Sequence, residues 1–587
     1  MNRALRLLLA LAGLLLLLVL ALPSLLGPMA EQRIRHAAAA RGWEARWEGL
    51  HVSWDGRLEL KRLLLTSRAG GDTMFQADSF AVRLDRLALL GLHARVASLG
   101  AARAALRLSR PPVADADTLA PSPEPKDTRA DPERAARVRR SAEALVRLLF
   151  TPTRQLPALT LRDVTIQVPQ GAEAFWSGLH LSWLESRPQA GGMRMAAVGT
   201  FLGQDELPFA ASLEHAADDR IHGGLRVSFP ATTPSGPEAV LLTLDGVLHQ
   251  DPRRGIVIVG DSTRLTLGKI PLWIGATFDR RGPAIHLRLA ANDLTQDQVR
   301  ASLPAAVLGP LLDVDVRGSW DYRLGFDLDL AQPDSVQFDA GVIPHGLQID
   351  PERTRLRVLG LDEPFVATIF LPHGRRTTRE LSPANPFYRP LPEISPYLAS
   401  AVVTNEDGGF FRHRGFNTEA MKAAIAENLK AGAFRRGAGT ITMQLARNLY
   451  LGHDRTLSRK FREIVLAWIL EHLTGVSKER LLEIYLNVIE WGPNVHGAGE
   501  AARYYFDREP GDLTVSEALF LTTIIPAPSR WRSRFDASGT LRPFARAQMH
   551  FIGRAMVARG WLDAEDLPPT DELDVELRGA ARDVFNP

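Results

Sequence analysis

The sequence predicts a multidomain chain: an N-terminal transmembrane helix, a β-rich region of antiparallel sheet, and a mainly α C-terminal domain. Three observations carry this. Residues 7–30 hold no charge. Apolar residues alternate with polar ones in segment after segment between 58 and 328. Beyond about residue 385 the apolar spacing changes to three and four. At 587 residues the chain is too long for one ordinary domain. A formal net charge of +3 says little by itself; no nucleic-acid partner is expected. With no cysteine, disulfides, Cys-based metal sites and Cys nucleophiles are excluded.

Taken in order, residues 1–30 read as a cytoplasmic tip and membrane anchor. Leu7 to Leu22 is almost wholly Leu, Ala, Val and Gly, long enough to span a bilayer. Pro23, Ser24, Gly27 and Ala30 allow a cleaved signal peptide, but the apolar run exceeds a usual signal core, which favours an uncleaved anchor. Arg3 and Arg6 before the run and Arg33, Arg35 and Arg41 after it leave orientation open. Residues 31–110 read as a helix and then strands, with Leu58 and Leu60, then Phe80, Val82 and Leu84, on half-buried faces. Residues 111–135 are a Pro-, Asp- and Ser-rich linker, with Asp131 and Pro132 opening a helix. Strands resume over 136–370. Val164, Ile166 and Val168 alternate, as do Leu225, Val227 and Phe229, then Ile285, Leu287 and Leu289. The longest ladder is Trp320, Tyr322, Leu324, Phe326 and Leu328. Such a sheet is a spacer, or it holds a lipid or protein on its apolar face.

The helical domain spans 385–560, with a tail over 561–587. Asn417 caps a helix through Met421, Ile425 and Leu429. Another helix holds Phe461, Val465, Trp468 and Ile469, and a further one starts near Lys478. Thr514-Val515-Ser516-Glu517 is a capping box, and Pro526 ends the helix it opens. No Ser-x-x-Lys or Lys-Thr-Gly stretch follows.

Chemistry concentrates between 405 and 463. Glu406-Asp407 ends an apolar helical run and precedes Gly408-Gly409, which offers a carboxylate on a loosened loop. Thr440, Gln444 and Arg447 share a helix face, and Asn448 follows. Arg459, Lys460 and Glu463 form a third cluster. Its base precedes its acid, the weaker order for helix stability, so stability is a poor motive for it. Alone, each piece reads as a solvated loop pair, a helix surface or a surface ion pair, and His413 as a structural histidine. Together they supply one base and a basic, amide-lined wall, which suits a hydroxyl to deprotonate and a phosphate to hold.

These stretches resemble the peptidoglycan glycosyltransferases of lysozyme-like fold. That family shows Glu-Asp-x-x-Phe-x-x-His-x-Gly, then Gly-x-Ser-Thr-Ile-Thr-x-Gln-Leu-x-Lys-Asn, then Arg-Lys-x-x-Glu. Here they stand as Glu406 to Gly415, Gly437 to Asn448 and Arg459 to Glu463. Ile484 to Gly492 and Gly497 to Ala502 agree as well, and the Asn487 to Gly492 wording is most like the monofunctional branch. The layout of the N-terminal region weakly resembles AsmA-like envelope proteins, with no residue motif behind it.

The resemblance implies polymerisation of lipid II into β-1,4 glycan with loss of undecaprenyl pyrophosphate. It implies an inner-membrane, single-pass protein with its catalytic domain in the periplasm. Its partners are lipid II, the growing glycan, the membrane and other cell-wall synthesis proteins. By matching position, Glu406 is the general base, Asp407 orients or tunes it, and Glu463 is the second catalytic carboxylate. Thr440, Gln444, Arg447, Asn448, Arg459 and Lys460 bind substrate. A divalent cation, Mg or Mn, is expected mainly through the substrate pyrophosphate rather than on a protein metal site. Phe416 or Phe434 is expected to dip into lipid. Several positions depart from the pattern: Gly439 for Ser, Arg447 for Lys and Asn417 for Asp, with Gly408-Gly409 loosening the loop beside the base. They bear on rate more than on reaction. The alternatives are a lytic muramidase and a non-catalytic envelope scaffold or lipid-handling protein with a degenerate transferase domain.

Overall fold

A computed structural model describes the chain from residue 27 to 585. It leaves out 29–30, 54, 69–71, 85–95, 108–156, 168–175, 190–191, 204–205, 216–219, 234–235, 252–254, 261–262, 280–283, 331, 432–436 and 453–455. The expected membrane anchor over 1–30 lies almost wholly outside the described residues, as do Phe434, the linker 111–135 and the helix opened by Asp131. Among the described residues no helix is long and apolar enough to cross a membrane.

The alternating segments form one 17-stranded sheet. Its first strands are β1 (Trp43–Arg46), β2 (Gly49–Val52), β3 (Arg57–Ser67), β4 (Thr73–Leu84), β5 (Val96–Arg107) and β6 (Ala158–Gln167). Strands β7 to β13 lie between Trp176 and Leu267. Then come β14 (Ile270–Asp279), β15 (Ala284–Leu294), β16 (Val316–Asp329) and β17 (Gln337–Ile349). Most successive strands pair antiparallel, as their alternation predicts; β1 and β2 both lie along β3, and β12 (Ile256–Val259) and β13 (Arg264–Leu267) both lie between β11 (Gly236–Asp251) and β14. One pairing departs from an all-antiparallel sheet: β5 and β6 run parallel, Leu99 opposite Leu159. Parallel neighbours need a crossover rather than a hairpin. One face buries Ala77, Ala101, Val164, Leu181, Phe209 and Val227 together.

After β15, Thr295 opens helix α1 (Gln296–Ser302) with a capping box. Beyond β17 a hairpin of β18 (Phe365–Phe370) and β19 (Arg376–Leu381) leads into the helical part. That part comprises α2 (Pro396–Glu406), α3 (Thr418–Ala431), α4 (Ile441–Ala446), α5 (Leu457–His472) and α6 (Lys478–Val488). It continues with α7 (Ala498–Phe506), α8 (Val515–Ile524) and α9 (Pro543–Val557). The expected caps are in place. Asn417 Oδ1 accepts from Ala420 N at 2.9 Å, and Thr514 and Glu517 form their reciprocal box. A single apolar core joins these helices, apart from α3, to the β18–β19 hairpin and to Leu573, Val575 and Ala581 near the C-terminus. Its largest fully buried side chains include Trp491, Tyr485, Tyr505 and Phe410.

The sheet and the helical part are in direct contact. The ladder on β16 turns one face toward the helices. Phe326 and Leu328 pack with Ile425, Ala426 and Leu429 of α3. Lys430 pairs with Asp334 at 2.5 Å. On α5, the Arg462 guanidinium donates to the carbonyls of Ala306 at 2.7 Å and Val307 at 2.9 Å. That helix, which carries the basic cluster, is thereby seated on a turn supplied by the sheet region.

Candidate active site

Glu406 is the last residue of α2, a helix whose inner face (Leu398, Ala401, Val402, Val403) is fully buried. Rigid packing behind it fixes where the carboxylate emerges. Glu406 Oε1 accepts from Asn405 Nδ2 at 2.7 Å, and Oε2 accepts from Gln444 Nε2 at 3.0 Å. Burial raises its pKa above the usual carboxylate range; the two amide donors and the nearby Arg447 charge pull the other way. A base tuned upward toward neutrality is suited to proton transfer.

Asp407 points the other way. Its side chain is buried, and both oxygens lie 2.9 Å from His413 Nε2. Oδ2 also accepts the backbone N–H of Ile441 at 3.2 Å, and Oδ1 accepts from Asn417 Nδ2 at 3.4 Å. Asp407 thus ties the loop after α2 to the start of α4, as the orienting role expected of it requires. Side chains of other elements also approach the pair Gly408-Gly409 closely. A Cβ on Gly408 would overlap the Arg559 guanidinium, which donates to the Gly408 carbonyl at 3.2 Å. A Cβ on Gly409 would overlap the Asn417 amide. These glycines permit close packing against the loop.

The expected shared face of Thr440, Gln444 and Arg447 is only partly realised. Thr440 is the N-cap of α4 and buried; its hydroxyl accepts from Met443 N at 3.2 Å and donates to the Gly415 carbonyl at 2.7 Å. Both of its hydrogen bonds go to backbone groups. Gln444 is also committed, to Glu406 on one side and to Tyr485, whose hydroxyl donates to Gln444 Oε1 at 3.0 Å. Tyr485, fully buried on α6, is the residue that the motif reading missed as a participant; its place in the Ile484 to Gly492 stretch was the available signal. Asn448 is buried. Asn487 of the same stretch bonds the backbone of Arg389 in both directions, at 2.8 and 3.1 Å, and so fixes the approach to α2.

Three cations do assemble. Arg447 follows α4, half-buried, and its Nε is buried without a hydrogen-bond partner among the described residues. Burial lowers its pKa, and the charge of Glu406 counteracts this. Arg459 and Lys460 lie in the first turn of α5, where Thr456 caps Arg459 N at 3.1 Å. Glu463, one turn on and buried, takes Arg459 on Oε1 and Lys460 on Oε2, the latter at 3.1 Å. Burial, then the neighbouring Arg459 and Arg447, bring Lys460 down to a pKa of about 8 despite that carboxylate. Gly439 borders the cluster: a Cβ there would meet nothing nearer than Lys460 Nζ at 4.0 Å.

Each Glu463 oxygen is paired with one cation of the cluster. The one group of acidic and histidine side chains close enough to share an ion, among the described residues, is Asp293, Asp321 and His345 on the sheet. Phe416, expected to reach into lipid, instead packs against the main core and lines a cavity between the sheet and the helices.

Residues 374–550 match the Transglycosylase family model. The chain is 43% identical over 142 residues to a biosynthetic peptidoglycan transglycosylase of Alcanivorax borkumensis, covering 24% of this chain and 57% of that one. It is 42% identical over 149 residues to the namesake from Methylobacillus flagellatus, covering 25% and 64%. It is 40% identical over 179 residues to that of Ralstonia nicotianae, covering 30% and 73%. The chain therefore spans somewhat under two thirds of the first two relatives, and all three alignments cover less than a third of it. Because the motif residues meet at one site and the identity reaches across most of the Ralstonia protein, the chain belongs to the transglycosylase family that contains the biosynthetic peptidoglycan transglycosylases.

Proposed function

We propose that the chain is a peptidoglycan glycosyltransferase that polymerises lipid II, with Glu406 as general base. One observation carries the reading. Glu406, with its raised pKa, interacts with Arg447, and Arg447 and Arg459 both act on Lys460, so a single base adjoins a continuous cationic cluster. In the proposed step the acceptor sugar 4-hydroxyl oxygen forms a bond to the donor anomeric carbon. Its proton passes to Glu406, and the bond from that carbon to the phosphate oxygen breaks. The pyrophosphate leaves with the lipid carrier, and configuration inverts from α to β. Arg447, Arg459 and Lys460 stabilise the charge that grows on the leaving group, already in place before it forms. Glu463 holds two of these cations in position. A divalent ion enters this proposal only as a counter-ion carried by the pyrophosphate, and no step runs through it.

The same cluster argues against glycan cleavage, which releases no pyrophosphate for three cations to hold. The lipid carrier keeps the reaction at a bilayer, so the proposal includes anchoring through residues 1–30 and a periplasmic catalytic domain. The test is to supply the purified full chain in detergent with labelled lipid II. Polymer supports the proposal. Shortening of pre-formed glycan, or binding without turnover, contradicts it.

A further inference from the structure

Between the sheet and the helical part lies a cavity of about 930 Å³. Its sheet wall includes Trp320, Tyr322, Phe338 and Ala340 from β16 and β17. Its helical wall includes Phe461 and Ile464 of α5, which remain 37% and 36% exposed because they face this space. Polar character is confined to a few places, notably Arg459 and Lys460, beside Gly439. Glu406 does not line it. Helix α5 therefore presents phosphate-binding cations and an apolar wall to one connected space.

We propose that this cavity seats the polyprenyl chain of the lipid pyrophosphate, with the sheet serving as one wall of a tail-binding site. The inference rests on the glycosyltransferase reading for the identity of the head group. Physically, drawing a pyrophosphate out of the head-group layer to reach Arg459 and Lys460 lifts the first carbons of its tail out of hydrocarbon. Every methylene left in water is unfavourable, and those carbons would offset much of what the ion pairs gain. A mainly apolar cavity beside the cations reduces that cost. The volume falls within the range of ligand sites. The occupant must be an anion with a long apolar tail, because the cations and the apolar walls border the same space.

The experiment uses the full chain in detergent and a photoreactive long-chain polyprenyl pyrophosphate as probe. Peptide mapping reads the label, and lipid II turnover is assayed separately. Wild type is expected to be labelled on β16 or β17. Ala340→Trp, which fills the cavity from the sheet side and touches none of the cations, is expected to lower that label about ten-fold. The same variant should retain its melting temperature and its affinity for inorganic pyrophosphate. Label that falls elsewhere, or that survives Ala340→Trp in a folded protein, overturns the proposal. So does equal labelling of these strands by a photoreactive phosphatidylglycerol that the polyprenyl pyrophosphate fails to displace. Should Ala340→Trp unfold, Phe461→Ser serves in its place with the same expected loss. Absence of polymer from wild type, with label in place, would strike the glycosyltransferase reading alone.

Discussion

Gln444 stands between Tyr485 and Glu406: its Nε2 donates to Glu406 Oε2 at 3.0 Å, and its Oε1 accepts the Tyr485 hydroxyl at 3.0 Å. The tyrosine fixes which way the amide points, and the amide fixes the carboxylate. Because Gln444 donates to the charged form of Glu406, it lowers a pKa that burial raises. Replacing Gln444 with Met should raise the Glu406 pKa further. The acid limb of kcat/KM should then move to higher pH, with lower activity at neutrality. An unmoved acid limb would show that the amide does not act on the base.

Tyr485→Phe tests the same relay from its far end. It leaves Gln444 Oε1 buried without its donor, at a cost of about 1–3 kcal/mol in denaturant unfolding. Turnover should fall about ten-fold with donor KM little changed, since a mispointed amide disturbs the base and not the cations. A loss confined to KM would contradict this.

Lys460 sets the alkaline side. With a pKa of about 8 in the free protein, it is charged below that pH and loses its charge as pH rises through it. kcat/KM should therefore fall above about pH 8, while kcat holds to higher pH because bound pyrophosphate favours the charged amine. Lys460→Arg keeps the charge and should abolish the fall in kcat/KM. Persistence of the limb in that variant would assign it to another group.

Two neighbours in sequence should behave in opposite ways. Thr440→Val removes the N-cap of α4 and should cost about 1–2 kcal/mol of stability, with donor KM within about two-fold. Gly439→Ser finds open space and places a hydroxyl near Lys460 Nζ, so it should leave stability within about 0.5 kcal/mol and lower donor KM a few-fold. A stable Thr440→Val with sharply raised KM would return Thr440 to the phosphate wall. A raised KM in Gly439→Ser would show that the missing hydroxyl is not a deficit.

Much of this architecture was legible in the residues. Strands whose apolar residues alternate, such as Trp320 to Leu328, read directly, because side chains on a strand repeat every two positions. The caps at Asn417 and Thr514 read directly because they need only local chemistry. What failed was what depends on contacts distant in sequence. Helical-face counting put Thr440 with Gln444 and Arg447, but as an N-cap its side chain turns back to its own helix end. Gly408 and Gly409 looked like freedom, yet Arg559 and Asn417, brought in by other elements, make them points of close packing. The parallel β5–β6 pair and the cavity against α5 likewise come from tertiary assembly.

The central claim is that the carboxylate at the end of α2 removes the acceptor proton opposite a cationic cradle. Single-turnover polymerisation of lipid II by Glu406→Gln, alongside donor binding by the same protein, tests it most directly. The account predicts a chemical rate lower by about a thousand-fold, with donor affinity within about three-fold of wild type. A Glu406→Gln protein that polymerises within about ten-fold of the wild-type rate would contradict it.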